Sequence, residues 1–262
     1  GMVQPRKMHR FEPDLGENER ALDRIKTDEM DSFRIAIYCK EHCRKIKASP
    51  SKLPGEAYFK LKRLMAERKQ YTRQTVIYKQ HLHDISVYDT EGSRERKKVG
   101  LNILTEQIRQ TNREIQRIIE SDSALKRNYE LLCSIKGVGL VVAVETIILT
   151  ENFTSITNPR KYACYIGIAP AKKESGVSVR GGEHISRKGF TQAKADLSQI
   201  SLVAIRYDPG IRTYWERKKA EGKHSGVVLN AVKFKLILRM FAVIKRQKPY
   251  IEMQAYTNKR RT

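Results

Sequence analysis

Mostly apolar residues recur at alternating spacings of three and four along two long stretches of the chain. The positions are Leu61, Leu64, Arg68, Tyr71, Thr75, Tyr78, Leu82 and Ile85 in the first stretch, and Leu101, Leu104, Ile108, Thr111, Ile115 and Ile118 in the second. Such spacing is typical of the seam along which the helices of a coiled coil pack. Residues 88–98, which read YDTEGSRERKK, interrupt the pattern with Gly92 and many charges. The pattern predicts a coiled-coil helical hairpin within residues 51–128.

The apolar residues of this seam must be buried, because two helices alone do not enclose a hydrophobic core. The two series can cover each other within one chain, or they can pack against a second subunit. We expect the second arrangement, a homo-oligomer assembled through the coiled coil, and the first stays open. Arg68 and Thr75 would help to fix the register of the seam at some cost in stability.

Shorter patterns on both sides of the hairpin also predict helices, so the expected fold class is mainly α. The predicted helices are residues 28–47, a short helix after Pro159, residues 191–205, residues 211–221, and the apolar stretch that ends before Pro249. A short β-hairpin or loop is expected between the helix after Pro159 and the helix over 191–205. The predicted domains are residues 1–50, 51–128 and 129–262.

Two glycines stand two residues apart in the apolar stretch SIKGVGLVVAVETI, residues 134–147. This pattern resembles a helix-hairpin-helix element, in which glycines let a turn approach a phosphate backbone and helix N–H groups face the anion. Gly137 and Gly139 are therefore candidate DNA-contacting residues. A tight turn between two packed helices, with no ligand, is the open alternative.

The charge of the chain points to a polyanionic partner. Lys and Arg number 52 against 29 Asp and Glu, which gives a formal net charge of +23. Neutralising phosphates releases condensed counterions, so such an excess favours nucleic acid, with DNA as the first expectation. No apolar run approaches the length of about 20 residues that a membrane span needs, and the four cysteines show no disulfide framework. We expect a soluble, cytoplasmic and nucleoid-associated protein.

Residues 172–189, KKESGVSVRGGEHISRKG, combine serines, glycines and cations in a stretch too rich in glycine for a helix. Ser175 lies beside Gly176, which allows an exposed turn. The cations that could grip phosphates are Lys172, Lys173, Arg180, Arg187 and Lys188. From these residues alone, Ser175 is either a nucleophile that lacks an evident base or a hydrogen-bond donor in a phosphate-binding loop, and Ser178 and Ser186 are rivals.

Asp28 and Asp31 form the other candidate site. Positions three apart share one side of a helix, so the two carboxylates can converge on one divalent cation, as in enzymes of phosphoryl transfer. Two acids in a first helical turn also simply complement the helix dipole, and that alternative stays open.

The order of these motifs resembles that of the Piv/MooV-type DEDD recombinases, bacterial insertion-sequence transposases and site-specific DNA invertases. The matching stretches are KTDEMDSFRIAIYC (26–39), the helical hairpin, SIKGVGLVVAVETI (134–147), FTSITNPRKYACYIGIAP (153–170), ESGVSVRGGEHISRKG (174–189) and the closing helices to about residue 250. The resemblance implies a resolvase-like ribonuclease-H domain, followed by a helical domain whose serine attacks DNA.

Carried over by motif, the resemblance implies roles for three residues. Asp28 and Asp31 match the last two acids of a set of four that holds Mg²⁺ or Mn²⁺, and Ser175 matches the nucleophile that becomes joined to a 5′ phosphate. The first two acids of that set have no counterpart in this sequence. We therefore expect residues 1–50 to be the C-terminal remnant of the resolvase-like domain and the chain to be inactive alone.

The leading hypothesis is thus a DNA transposase or recombinase that works in multimers, with a structured guide RNA as a possible partner. A second hypothesis is a non-catalytic DNA- or RNA-binding fragment, or a decayed transposase, that grips backbones with the Gly137 turn and the basic loop. A third, a coiled-coil scaffold, leaves the Ser175 loop unexplained.

Overall fold

The computed structural model describes residues 32–33, 35–41, 54–84, 89–175, 179–185 and 189–251. The chain divides into two compact units, Gly1–Pro54 and Gly55–Thr262. In the first unit residues 32–33 and 35–41 are helical, within the helix predicted over 28–47.

The second unit is built almost entirely from helices. They are α1 (Glu56–His83), α2 (Glu91–Ser121), α3 (Ser123–Cys133), α4 (Leu140–Thr150), α5 (Pro159–Tyr165), α6 (Thr191–Tyr207), α7 (Pro209–Ala220) and α8 (Ser225–Arg246). Between α5 and α6 lies a two-stranded antiparallel hairpin, β1 (Pro170–Ser175) and β2 (Val179–Ile185). The prediction of a mainly helical chain is confirmed, whereas a ribonuclease-H remnant, coiled-coil supercoiling, a helix-hairpin-helix element and the domain limits stay predictions.

Helices α1 and α2 pack against each other along the predicted seam. Leu61 on α1 and Ile115 on α2 are fully buried, and Thr75 and Thr111 are also buried. The two threonine hydroxyls donate to helix carbonyls one turn earlier, so their burial leaves no polar group unpaired. Arg68 Nε donates to Asn112 Oδ1 across the hairpin at 2.8 Å. In this single chain, therefore, the two series cover each other.

The expected interruption over 88–98 is wrong from Glu91 onward, because α2 begins there. Thr90 caps the helix: its hydroxyl oxygen accepts from Ser93 N at 3.2 Å, which satisfies one of the free N–H groups of the first turn. Charged residues do not break a helix when a cap starts it and the charges stay in solvent. Gly100 lies in α2 against the ring of Tyr78, whose Cε1 is 2.6 Å from where a Cβ would stand.

The core lies where α4 and α8 meet the shorter helices. Helix α4 buries seven of its residues, and α8 buries Val232, Leu236, Met240 and others. The ring of Phe241 on α8 packs edge-on against Phe153 at a centroid distance of 5.0 Å. These two apolar helices form the support for the segments that surround the serine.

Short polar residues start the helices that turn around this core. Asp122 caps α3, and Asn158 caps α5 ahead of Pro159. Asp208 caps α7, so Pro209 and Gly210 belong to the first turn of that helix, and its expected start at residue 211 is wrong by two residues. Proline is favoured at this position because its missing N–H is not needed there. No helix among the described residues is long and apolar enough to cross a membrane.

Candidate catalytic and nucleic-acid-binding site

Ser175 is the last residue of strand β1. Its backbone partner across the hairpin is Val179, and Glu174 pairs with Arg180. Residues 176–178, which include Ser178, connect the strands and lie outside the described residues. The strands therefore bring the Ser175 and Arg180 backbones to the same end of the hairpin.

We call the base of this hairpin its root: residues 166–169 form the incoming leg, and residues 189–190 form the outgoing leg. The two legs are held in close backbone contact. Gly189, at a φ of +138°, lies so close to the start of the hairpin that a Cβ there would be 2.9 Å from the carbonyl carbon and oxygen of Ile166. Any side chain at Gly189 would force the two legs apart. Gly167 turns the incoming leg at a φ of +78°. The chain thus enters and leaves the hairpin through one narrow point.

Helix α8 anchors this root to the core. Asn230 Nδ2 donates to the carbonyl oxygen of Ile168 at 3.0 Å, and Ile168 is 1% exposed. On the other side of the root, the rings of Tyr165 and Phe190 lie 5.4 Å apart. The base of the hairpin that carries Ser175 is therefore packed against the core.

Only some of the other predicted site residues belong to the part of the chain that the structure describes. Lys172 and Lys173 belong to β1 and Arg180 belongs to β2, while Asp28, Asp31, Arg187 and Lys188 lie outside the described residues. The rival serine Ser186 is also outside them. Within the described part of the chain, no group of three or more His, Cys, Asp or Glu side chains could hold a metal ion. The metal set that includes Asp28 and Asp31 therefore stays a prediction.

The two glycines of the α3–α4 turn have different surroundings. Gly137 has a φ of +90°, and a Cβ there would meet the carbonyl oxygen of Ile200 at 3.0 Å, so it allows the turn to pack against α6. Gly139 precedes α4 with an extended backbone, and a Cβ there would meet nothing within 4 Å. No side chain caps α4, so its first N–H groups are available to an anion at this turn.

A carboxyl pair that no sequence motif indicated lies between α4 and α6. Burial raises the pKa of Glu145 to about 8, and a hydrogen bond to Asp196 and the charge of Asp196 add to the effect, against the opposing charge of Lys69. Gln192 Nε2 donates to Asp196 Oδ1 at 3.0 Å. At neutral pH Glu145 is therefore mostly protonated. It is the single charged residue of α4, and an acid in so apolar a helix is the sequence feature that could have revealed it.

A buried cation lies one turn beyond Asn230. Lys233 is 8% exposed, and burial, followed by the charge of Lys194, lowers its pKa. The spacing of three residues puts Lys233 on the same side of α8 as Asn230, which binds the hairpin root. A lysine inside an apolar helix is a second sequence feature that could have pointed to this region.

Comparison with known proteins gives a family match over part of the chain. Residues 129–216 match the Transposase IS116/IS110/IS902 family, and this stretch contains the glycine turn, the serine hairpin and α6. Pilin gene-inverting proteins of Moraxella lacunata and Moraxella bovis are each 23% identical over 253 residues, which is 95% of this chain and 73% of theirs.

Two insertion-element proteins match a shorter part of the chain at higher identity. The 43.6 kDa protein of insertion element IS110 from Streptomyces coelicolor is 32% identical over 116 residues, which is 44% of this chain and 28% of that protein. The 42 kDa protein of insertion element IS900 from Mycobacterium paratuberculosis is 30% identical over 114 residues, or 43% of this chain and 28% of that protein. The chain is thus similar to IS110-type transposases and recombinases, over residues 129–216 in the family match and over most of its length in the Moraxella relatives.

Proposed function

We propose that this chain is a DNA recombinase of an insertion element, that it cuts and rejoins DNA through Ser175, and that it is inactive until the two acids of the metal set with no counterpart here are supplied. The observation that carries the proposal is the position of Ser175, at the end of a strand whose hairpin is rooted on the core, inside the segment that matches the transposase family. A hairpin held at its base favours catalysis by a serine at its far end, because the reacting atoms must be held in a narrow geometry. The name of the Moraxella relatives, which invert a pilin gene, supports rearrangement of DNA as the outcome.

The proposed reaction is a transesterification. The Oγ of Ser175 forms a bond to the phosphorus of a phosphodiester, and the bond from phosphorus to the 3′ oxygen breaks. The serine proton is lost to a base, and the leaving 3′ oxygen takes up a proton to become a hydroxyl. In the second step a 3′ hydroxyl of another strand attacks the phosphoserine, which restores the phosphodiester and releases the serine. No water is consumed, so the energy of the broken bond is kept for rejoining.

Cations near the serine would stabilise the charge that develops on the phosphoryl oxygens. We propose Lys172, Lys173, Arg180, Arg187 and Lys188 for this contact. A divalent cation held by Asp28, Asp31 and further carboxylates would supply charge neutralisation and lower the pKa of a bound hydroxyl. Multimeric assembly and a guide RNA belong to the same proposal, and the net charge of +23 favours nucleic acid without choosing between DNA and RNA.

The proposal is tested by separating chemistry from binding. The full chain, preceded by a segment that supplies the two missing acids, and its Ser175→Ala variant are expressed in cells that carry the element with its flanking DNA, and new junctions are counted by sequencing. We expect Ser175→Ala to abolish junctions while DNA affinity stays within about twofold, because the hydroxyl acts in the transition state rather than in binding. Ser178→Ala, three residues away in the same loop, is the matched control and should keep both.

Two results would overturn the proposal. Junctions that persist in Ser175→Ala would exclude this serine as the nucleophile. Absence of junctions even when the two missing acids are supplied, together with intact DNA binding, would favour a binding protein without chemistry.

A further inference from the structure

A cleft of about 610 Å³ lies between α1 on one side and α4 and α6 on the other. Its size falls within the range of about 300–1,000 Å³ found for small-ligand sites. The walls combine three kinds of group: a carboxyl pair, aromatic rings and cations. None of these has a role in the serine chemistry proposed above.

The floor of the cleft offers both a hydrogen-bond donor and acceptors. Glu145 and Asp196 are hydrogen-bonded to each other, and Asp196 Oδ1 also accepts from Gln192 Nε2 at 3.0 Å. The second N–H of the Gln192 amide is a donor, and the remaining carboxyl oxygens of the pair are acceptors on the same wall of the cleft. The edges of nucleobases carry N–H donors and ring or carbonyl acceptors in the same kind of alternation.

One end of the cleft is aromatic and lies at the root of the serine hairpin. Tyr165 directly precedes Ile166 on the incoming leg, and Phe190 directly follows Gly189 on the outgoing leg. Both rings line the cleft, and Phe190 is 39% exposed. Aromatic faces bind unpaired bases by stacking, with little dependence on base identity.

The opposite wall of the cleft is a second stripe on α1. Its positions follow helical spacing but differ from the seam that packs on α2, so this face of α1 is turned away from its hairpin partner. The stripe consists of Lys62, Met65, Lys69, Arg73 and Val76. Lys62, Lys69 and Arg73 are exposed, and they bring three positive charges to the rim of the cleft. Phosphate oxygens are the natural partners of such a rim.

We propose that the cleft receives one unpaired nucleotide of the DNA substrate. The base stacks at Tyr165 and Phe190 with its polar edge on Glu145 and Asp196, and its phosphate lies on the α1 cations. This inference rests on the proposed function, since it identifies the occupant as DNA from the position of the cleft beside the serine hairpin. A base drawn out of the stack there would unpair the duplex next to the phosphodiester under attack.

The test compares two labelled DNA duplexes that differ by a single unpaired nucleotide. Fluorescence anisotropy with the full chain measures the affinity for a duplex with a one-nucleotide bulge and for the fully paired duplex. We expect the bulged duplex to bind about 10-fold more tightly, a ratio within the range measured for base–aromatic stacking. Phe190→Ala should bring the ratio of affinities close to one, and Phe190→Tyr should restore it.

A substitution at an exposed position tests the cleft without disturbing the folded core. Lys69→Gln removes a rim cation and should lower the ratio by about threefold or more, because one phosphate contact near the unpaired base is lost. Lys79→Gln is the matched control: it removes the same charge from an exposed position of α1 outside the cleft. It should weaken both duplexes equally and leave the ratio unchanged. Circular dichroism of each variant confirms that the helices are retained.

The possible failures are distinguishable. If both duplexes bind equally well, or if Phe190→Ala and Lys69→Gln keep the ratio, the cleft proposal is wrong while the recombinase proposal stands. If neither duplex binds, the proposed function fails as well. If a preference for an unpaired nucleotide appears only with RNA duplexes of the same sequence, the cleft serves an RNA partner and the DNA proposal is overturned.

Discussion

Asp208 links the start of α7 to α8 and allows a stability prediction to be worked out from its contacts. Its Oδ1 accepts from Ile211 N at 2.8 Å, which caps α7, and its Oδ2 accepts from Arg239 Nη1 at 2.7 Å. Asp208 is 2% exposed, and the Arg239 side chain is 19% exposed. The perturbation is a pair of substitutions, Asp208→Ala, which removes both contacts, and Asp208→Asn, which keeps an oxygen that can cap α7.

The two substitutions should differ by the value of the cap. Losing an aspartate cap costs about 1 kcal/mol. Breaking a buried ion pair costs about 3–5 kcal/mol, but Arg239 is partly in solvent and also lies over the ring of Tyr250 at 4.7 Å. We therefore expect a loss of about 2 kcal/mol for Asp208→Asn and about 3 kcal/mol for Asp208→Ala, measured as free energy of unfolding.

Urea denaturation measures these losses, with circular dichroism for the whole chain and fluorescence for α7. Trp215 is the single tryptophan and belongs to α7, so its emission reports on the helix that Asp208 caps. Glu56→Ala is the control, because the Glu56–Lys60 ion pair is exposed and its loss should leave the unfolding midpoint unchanged. The reasoning is refuted if Asp208→Ala and Asp208→Asn both unfold at the urea concentration of the unaltered chain.

Three further predictions concern the site. The folded-state pKa of Glu145 is raised to about 8 from an ordinary value of 4.5, so its contribution to stability is complete at acid pH and is lost as pH rises through 8. Urea titrations between pH 5 and pH 9 should show that the free energy of unfolding falls by about 1–2 kcal/mol in the unaltered chain but not in Glu145→Gln. An equal fall in both proteins would contradict this assignment. Gly137→Ala should lower the free energy of unfolding by about 1–2 kcal/mol, since the backbone there is left-handed and a Cβ would crowd Ile200. Gly139→Ala should leave the free energy of unfolding unchanged, because a Cβ there meets nothing within 4 Å, and should weaken DNA binding. Unchanged DNA affinity in Gly139→Ala would make the turn a packing element only. Arg180→Gln should reduce the slope of log affinity against log salt concentration by about one, and an unchanged slope would remove Arg180 from the DNA contact.

Periodicity predicted the helical parts of the fold well, because burial and spacing are tied together in a helix. The seam positions within α1 and α2 are all buried or half-buried, including polar Arg68 and Thr75, while Ile85 lies outside the described residues. The pattern misplaces the start of α2, because the charges around Gly92 are evident in the sequence whereas the capping role of Thr90 appears only in the structure. Caps are local, and a single hydroxyl decides where a helix begins.

The site was predictable only in part, because its groups come from distant parts of the chain. The serine segment stood out by its own composition, and its position between two glycine-bounded legs follows from Gly167 and Gly189. The pairing of Glu145 with Asp196 joins residues from α4 and α6, and no spacing in the sequence relates them. The α1 stripe could not be predicted either, because it lies on the same helix as the more regular seam pattern.

The measurement that tests the central claim most directly is peptide mass spectrometry of the chain, extended by a segment that supplies the two missing acids and recovered from cells that carry the element. Trypsin would release residues 174–180, ESGVSVR, as one peptide that contains Ser175 and Ser178, while Ser186 falls in the next peptide, residues 181–187. The account predicts a 5′ nucleotide attached to residues 174–180, with fragment ions that assign it to Ser175. A nucleotide on Ser178 or Ser186, or new junctions formed with no adduct and undiminished by Ser175→Ala, would contradict it.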